Sequence, residues 1–292
     1  MNSIKLSTPV VLETDWRCRY ADRFVTIGSC FSDTVGQRML QCGMDVMVNP
    51  FGTLYNPSSI AMGISRCLDG MWIGESDLVT CDGFWHSWFH HSGFSRNTKN
   101  ECMETCNANM RAFADRLREG CKLLVTLGTA FVFENKEMGV VVGNCHKLPA
   151  DQFVRRRLSV SEIVGDWSLL LDRLTALGVE VLFTVSPIRH FADGAHGNQL
   201  SKSTLLLAVD ELISRYEGCR YFPAYEIVMD ELRDYRFYGR DMVHPSDLAI
   251  DVVWNRFLQS YLSPADASLC ESGWKSYCSA QHRRIINSGI IK

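Results

Sequence analysis

The chain has 292 residues, 46% of them hydrophobic and 22% charged, with 12 cysteines. That apolar content excludes a disordered chain, and cysteines spread so thinly exclude a disulfide-stapled miniprotein. With 30 basic against 33 acidic side chains the formal charge is −3, so no basic field recommends a nucleic-acid partner. No apolar run approaches the roughly 18 residues of a membrane span. Met1 to Glu13 lacks the apolar stretch of a signal peptide. The cytoplasm is therefore the expected compartment, and its thiols are expected reduced.

In chain order, short β-rich apolar runs alternate with helical patterns, which predicts a mostly parallel sheet covered on both faces. Phe24 to Gly28 reads as the first strand, followed by a helix from Ser32 to Cys42 that Gly43 stops. Asp45 to Val48 is a second strand, Leu123 to Gly128 a third, Val179 to Val185 a fourth and Arg220 to Phe222 a short fifth. Between them, Cys106, Met110, Phe113 and Leu117 repeat at helical spacing up to Gly120. Ser159 and Glu162 form a capping box ahead of Ile163, Trp167, Leu170 and Leu174. Leu205, Val209, Leu212 and Tyr216 make another stripe, and Ile250, Trp254, Phe257 and Tyr261 the last, after Pro245. The expectation is a three-layer α/β/α sandwich around a mostly parallel five-stranded sheet.

Two stretches break this rhythm. Trp72 to Arg96, rich in Trp, Phe and His, reads as a hairpin, and Phe131 to Pro149 as a second one turning at Glu134-Asn135-Lys136. One domain over 1–292 is expected, with insertions at 72–100 and 131–150 that leave the carboxyl side of the sheet, where α/β proteins bind ligands. Residues 263–292 are expected to form a helical extension packed outside.

The sharpest local feature is Ile27-Gly28-Ser29-Cys30-Phe31-Ser32, where the first strand turns into a helix. A nucleophile there is exposed at the sheet edge, and the free helix N–H groups can stabilise both a thiolate and an oxyanion. More than 200 residues later, Asp241-Met242-Val243-His244-Pro245-Ser246 precedes a helix. An Asp-x-x-His in that position can present an imidazole whose second ring nitrogen is held by the carboxylate.

Other candidates are weaker. His86 and His90 have the spacing of a helical metal pair, but the surrounding aromatics favour packing, and no metal or other cofactor is expected. Cys102 and Cys106 lack the second pair of a zinc site. Cys145, beside His146, is a second-choice nucleophile. Arg189 and His190 leave the fourth strand at its ligand-facing end, where Arg189 could pair with a substrate carboxylate or phosphate. Asn198, Ser201 and Lys202 read most simply as a helix opening with a solvated lysine, and Arg155-Arg156-Arg157 as a solvated loop.

Taken together, several segments resemble the GSCFA family, a branch of the SGNH (GDSL-like) hydrolase superfamily. They are Gly28-Ser29-Cys30-Phe31, Asn49-Pro50-Phe51-Gly52, Leu127-Gly128-Thr129-Ala130, Asn144-Cys145-His146-Lys147, Ser186-Pro187-Ile188-Arg189-His190, Asp234-Tyr235-Arg236-Phe237-Tyr238 and Asp241 to Ser246. The resemblance implies an SGNH-like (flavodoxin-like) α/β/α fold and a hydrolase-like site. Laid in register on the superfamily's Gly-Asp-Ser motif, the nucleophile becomes Cys30, with Ser29 as the alternative one position earlier. Gly52 matches the glycine whose N–H serves the oxyanion. The superfamily's oxyanion Asn is absent from Gly128-Thr129-Ala130-Phe131, leaving Thr129 or Asn144 as its replacement.

The implied activity is hydrolysis or acyl transfer on an ester or thioester of a small molecule or glycan. His244 would serve as base to Cys30, and Asp241 would hold the imidazole. A catalytically weak or non-catalytic small-molecule or carbohydrate-binding protein that keeps the fold is the alternative. Oligomeric state is not legible.

Overall fold

The computed structural model describes residues 8–12 and 14–287. Residues 1–7, 13 and 288–292, the last of them in the expected extension, lie outside it. The chain begins with β1 (Phe24–Gly28), α1 (Cys30–Gln41), β2 (Val46–Val48) and α2 (Pro57–Asp69), then forms a hairpin of β3 (Leu78–Cys81) and β4 (Phe84–Ser87). Next come α3 (Lys99–Arg118), β5 (Lys122–Leu127), β6 (Phe131–Asn135), β7 (Val140–Val142), β8 (Phe153–Arg157) and α4 (Val160–Ala176). It ends with β9 (Glu180–Val185), α5 (Gly194–Arg215), β10 (Cys219–Tyr221), a single turn α6 (Ala224–Glu226), α7 (Asp247–Tyr261) and α8 (Pro264–Asn287).

Five strands form one parallel sheet in the order β10-β9-β5-β1-β2, with Val25 paired to Met47 on one side and to Leu123 on the other. Counted along the sheet this is the doubly wound 2-1-3-4-5 arrangement, whose ligand crevice opens where the order reverses, beyond β1 and β5. The strands bury both faces by alternation. Val25, Ile27, Leu123, Val125, Val181 and Phe183 pack under the layer holding Ile60, Met110, Trp167 and Leu205, from α2 to α5. Phe24, Leu124 and Leu182 face the other layer, with Phe31, Trp254, Phe257 and Tyr261. These are the stripes expected of a three-layer sandwich.

The structure departs from expectation in four places. The helix α2 is absent from the sequence reading, although Asn56 caps it through Ser59 N–H, Pro57 opens it and Gly70 ends it in the left-handed region. The stretch after Phe131 is a three-stranded antiparallel sheet, β7-β6-β8. Its turn falls after Asn135, because Asn135 Oδ1 accepts from the N–H groups of Glu137 and Met138. Arg155, Arg156 and Arg157 are not a loop but β8, paired to β6. Finally, α5 begins at Gly194, so Lys202 lies inside it. At the other end, α8 approaches α1 so closely that a Cβ on Gly273 would fall on the Cys42 carbonyl, and Arg38 stacks on Trp274 at 4.0 Å.

Candidate active site

At the end of β1, Gly28 takes φ +138°, and a Cβ there would lie 2.1 Å from the Thr126 carbonyl oxygen of the neighbouring strand. Only glycine permits this close turn. The Gly28 N–H donates to Asn49 Oδ1 at 3.0 Å, which fixes the loop after β2 against the turn. Ser29 is then the extended N-cap and Cys30 the first helical residue. Helix α1 starts earlier than the predicted Ser32, and that brings Cys30 onto the helix N-terminus. The N–H groups of Cys30 and Phe31 stabilise the sulfur as thiolate, while burial acts the other way and dominates, so the thiol lies above its ordinary range.

The second half of the site is the loop before α7. Asp241 Oδ1 accepts from the N–H groups of Val243 and His244, each at 3.0 Å, and Met242 adopts φ +58° to close the turn. These two bonds, followed by the imidazole, hold the Asp241 carboxyl down to about 2. Its second oxygen lies 2.6 Å from His244 Nδ1. An ionised carboxylate only accepts, so Nδ1 carries a proton, and in the neutral ring Nε2 is the bare nitrogen. That bare nitrogen stands 3.7 Å from Cys30 Sγ.

The neighbouring candidates separate clearly. Ser29 is buried, and its hydroxyl has no hydrogen-bond partner, His244 included. The Gly52 N–H, expected to face an oxyanion, instead donates to the Asn49 carbonyl at 2.7 Å. Thr129 lines the cleft, but its hydroxyl is tied to Ser201 and to the Phe131 N–H. Asn144 also lines it, with its side-chain oxygen taken by the His146 N–H at 2.8 Å. His190 stacks edge-on against Tyr55, and burial first, then Lys202 and His244, pushes it down to about 4, so it is neutral. Cys145 lines the cleft without a histidine partner. His86 sits in β4 and His90 beyond it, off any helix; they pack with Ser95 and Ser87.

Cys30, His244, Tyr55, Thr129, Asn144, Arg189 and His190 share one open cleft of about 650 Å³. Its apolar wall is Phe131, Phe133, Val142 and Phe153 from the three-stranded sheet, with Leu148 from the loop between β7 and β8. A separate void of about 30 Å³ between the central sheet and α1 holds no more than a water and no titratable group. Beneath the cleft lies Lys202, which the sequence reading left in solvent. It is 1% exposed, and its Nζ donates to the carbonyls of Gly128 and Ser186 at 2.7 Å each. Burial, then Arg189, lowers it to about 7, and Cys30 is the acidic group that acts in the other direction. A signal for this was present, because Lys202 extends the stripe of Leu205, Val209 and Leu212 by one helical turn toward the sheet.

The sequence profile of the GSCFA family matches residues 23–257, from β1 to the last turns of α7, with Cys30, Asp241 and His244 inside the match. The chain belongs to the GSCFA family. No curated protein matches this GSCFA chain in sequence. Among solved structures it is similar to a GDSL-like lipase from Bacteroides thetaiotaomicron VPI-5482, with a TM-score of 0.42 and 10% identity over 82% of this chain and 87% of that one. No helix among the described residues is long and apolar enough to cross a membrane.

Proposed function

We propose that this GSCFA protein transfers an acyl group from an ester or thioester, with Cys30 as nucleophile. The observation that carries the reading is the aligned relay of Cys30 Sγ, His244 Nε2, His244 Nδ1 and Asp241 Oδ2, at 3.7 and 2.6 Å. A thiol held above its ordinary range is protonated at neutral pH, so His244 must remove the proton as the sulfur attacks. A C–S bond forms to the acyl carbon, and the carbonyl electrons move to oxygen. The intermediate then collapses, the bond to the leaving oxygen or sulfur breaks, and the leaving group takes the proton from His244. Water, an alcohol or an amine next attacks the Cys30 thioester while His244 accepts its proton, and the thiol is restored. Asp241 stabilises the imidazolium formed in each half.

Oxyanion stabilisation is the weaker part of the site. With the N–H of Gly52 given to Asn49, the Thr129 hydroxyl tied to Ser201 and Phe131, and Asn144 Nδ2 donating to Ser92 Oγ at 3.5 Å, the backbone N–H groups of Cys30 and Phe31 are the donors left at the nucleophile. A missing donor costs roughly 100- to 1000-fold in rate. That deficit favours, as the second reading, a binding protein that retains the fold without turnover. The two readings part on one experiment, the hydrolysis of 4-nitrophenyl acetate and an acetyl thioester by wild type, Cys30→Ala and His244→Ala. Turnover lost in both variants supports acyl transfer. Turnover absent from wild type, or unchanged in both variants, supports the second reading.

A further inference from the structure

The cations around the cleft are not equally compensated. Arg155 forms a bidentate pair with Asp193 and stacks on Phe131 at 4.6 Å. Arg189 has no ion pair among the described residues. The guanidinium reaches the Met229 sulfur, at 3.4 Å, and lies over the Phe191 ring at 5.8 Å, and its buried Nε has no hydrogen-bond partner. The acids of the adjoining segment are already engaged. Glu226 accepts from Tyr221 at 2.8 Å, Asp230 pairs with Arg233, Glu231 with Arg256 and Asp234 with Arg236. The second uncompensated cation is Lys202, bonded to two neutral carbonyls and close enough to Arg189 to feel its charge.

Two half-buried or buried cations without a carboxylate are costly to hold together. An anion entering between Arg189 and Cys30 would offset that cost and would gain the planar, bidentate recognition that a guanidinium offers. We propose that the substrate of this cleft carries an anionic oxygen group, a carboxylate or a phosphate, and that Arg189 is its receptor. The inference rests on the acyl-transfer reading for the reaction but not for the binding. The apolar wall of Phe131, Phe133 and Phe153 then takes the neutral part of the molecule, so the preferred substrate is an amphipathic, charged ester rather than a simple lipid ester.

The test pairs turnover with a readout that needs none. For turnover, kcat/KM is compared for the 4-nitrophenyl esters of propionate and of hemisuccinate. Wild type is expected to favour the succinyl ester by about tenfold or more, the worth of one charge-assisted contact. Arg189→Met should bring the ratio near one, mainly through KM, and Arg189→Lys should restore part of it. For binding, Cys30 is alkylated with iodoacetamide in the presence of succinate or of inorganic phosphate, with the site read by peptide mass. Protection by either ion, lost in Arg189→Met and partly kept in Arg189→Lys, supports the receptor, and the ion that protects better names the group. Equal use of both esters by wild type, or protection indifferent to Arg189, overturns it. Protection that depends on Arg189 without any ester turnover retains the receptor and overturns the acyl-transfer reading instead.

Discussion

Lys202 reaches under the cleft from α5 to place its ammonium 2.7 Å from the Gly128 carbonyl, at the carboxyl end of the strand next to β1. A second bond to Ser186 does the same for β9. The lysine therefore ties the end of β5, beside β1 and Cys30, to the end of β9, and it supplies positive charge to a region where the helix N-terminus already supplies some. Its charge favours the thiolate of Cys30.

Substituting Lys202→Gln keeps a donor for the two carbonyls but removes the charge. The Cys30 thiol should titrate higher, and its alkylation at pH 6.5, where Lys202 still holds most of its charge, should slow by about threefold or more, since a charge in a partly desolvated site acts strongly. The pH profile of iodoacetamide labelling at Cys30 measures this. An unchanged profile would show that Lys202 only braces the strand ends.

His244→Ala should lower kcat/KM by about 100- to 10,000-fold, the usual worth of a positioned general base. Asp241→Asn should also reduce it, by favouring the wrong imidazole tautomer, while leaving the loop N–H bonds at Oδ1 in place. Steady-state kinetics on 4-nitrophenyl acetate measure both, and a His244→Ala enzyme within a few-fold of wild type would contradict the general-base assignment.

Two buried histidines make stability fall in acid. Burial lowers His90 to about 3 and His146 to about 4, so both are neutral in the folded state and bind protons on unfolding. Their contribution is present above pH 6.5 and is lost as pH falls from 6.5 toward those values, by up to about 1.4 kcal/mol per pH unit for each. Urea midpoints between pH 7.5 and 4.5 should drop, and His90→Gln should flatten the slope. A slope indifferent to that substitution would contradict the assignment.

Gly28→Ala should be among the most damaging changes in the protein. A methyl group meets the Thr126 carbonyl at 2.1 Å and forces a backbone angle that alanine avoids. A loss of roughly 3 kcal/mol or more is expected, read as a fall in the thermal midpoint. Tolerance of alanine would mean that the turn before Cys30 can relax.

The sheet and most helices were legible because burial on both faces writes apolar runs into β1, β5 and β9 and helical stripes into α3, α4 and α7. Helix α2 escaped because its stripe is broken by serines, although its Asn-Pro start and glycine stop were in plain sight. Cys30 and His244 could be paired from sequence because each stands beside a strong local signal, a glycine turn and an Asp-x-x-His. Lys202 could not be placed by its charge, since a buried lysine is rare; only its position on the apolar stripe spoke for it. The engagement of the Gly52 N–H by Asn49 depends on a loop conformation, with Asn49 at φ +42°, that residue spacing does not encode.

The most direct measurement is the site of covalent acylation. Wild type incubated briefly with 4-nitrophenyl acetate, then quenched in acid and digested, should carry one acetyl group on the peptide containing Cys30. Cys30→Ala should carry none there, and His244→Ala much less. An acetyl group on Ser29 or Cys145, or turnover that persists in Cys30→Ala, would contradict the central claim.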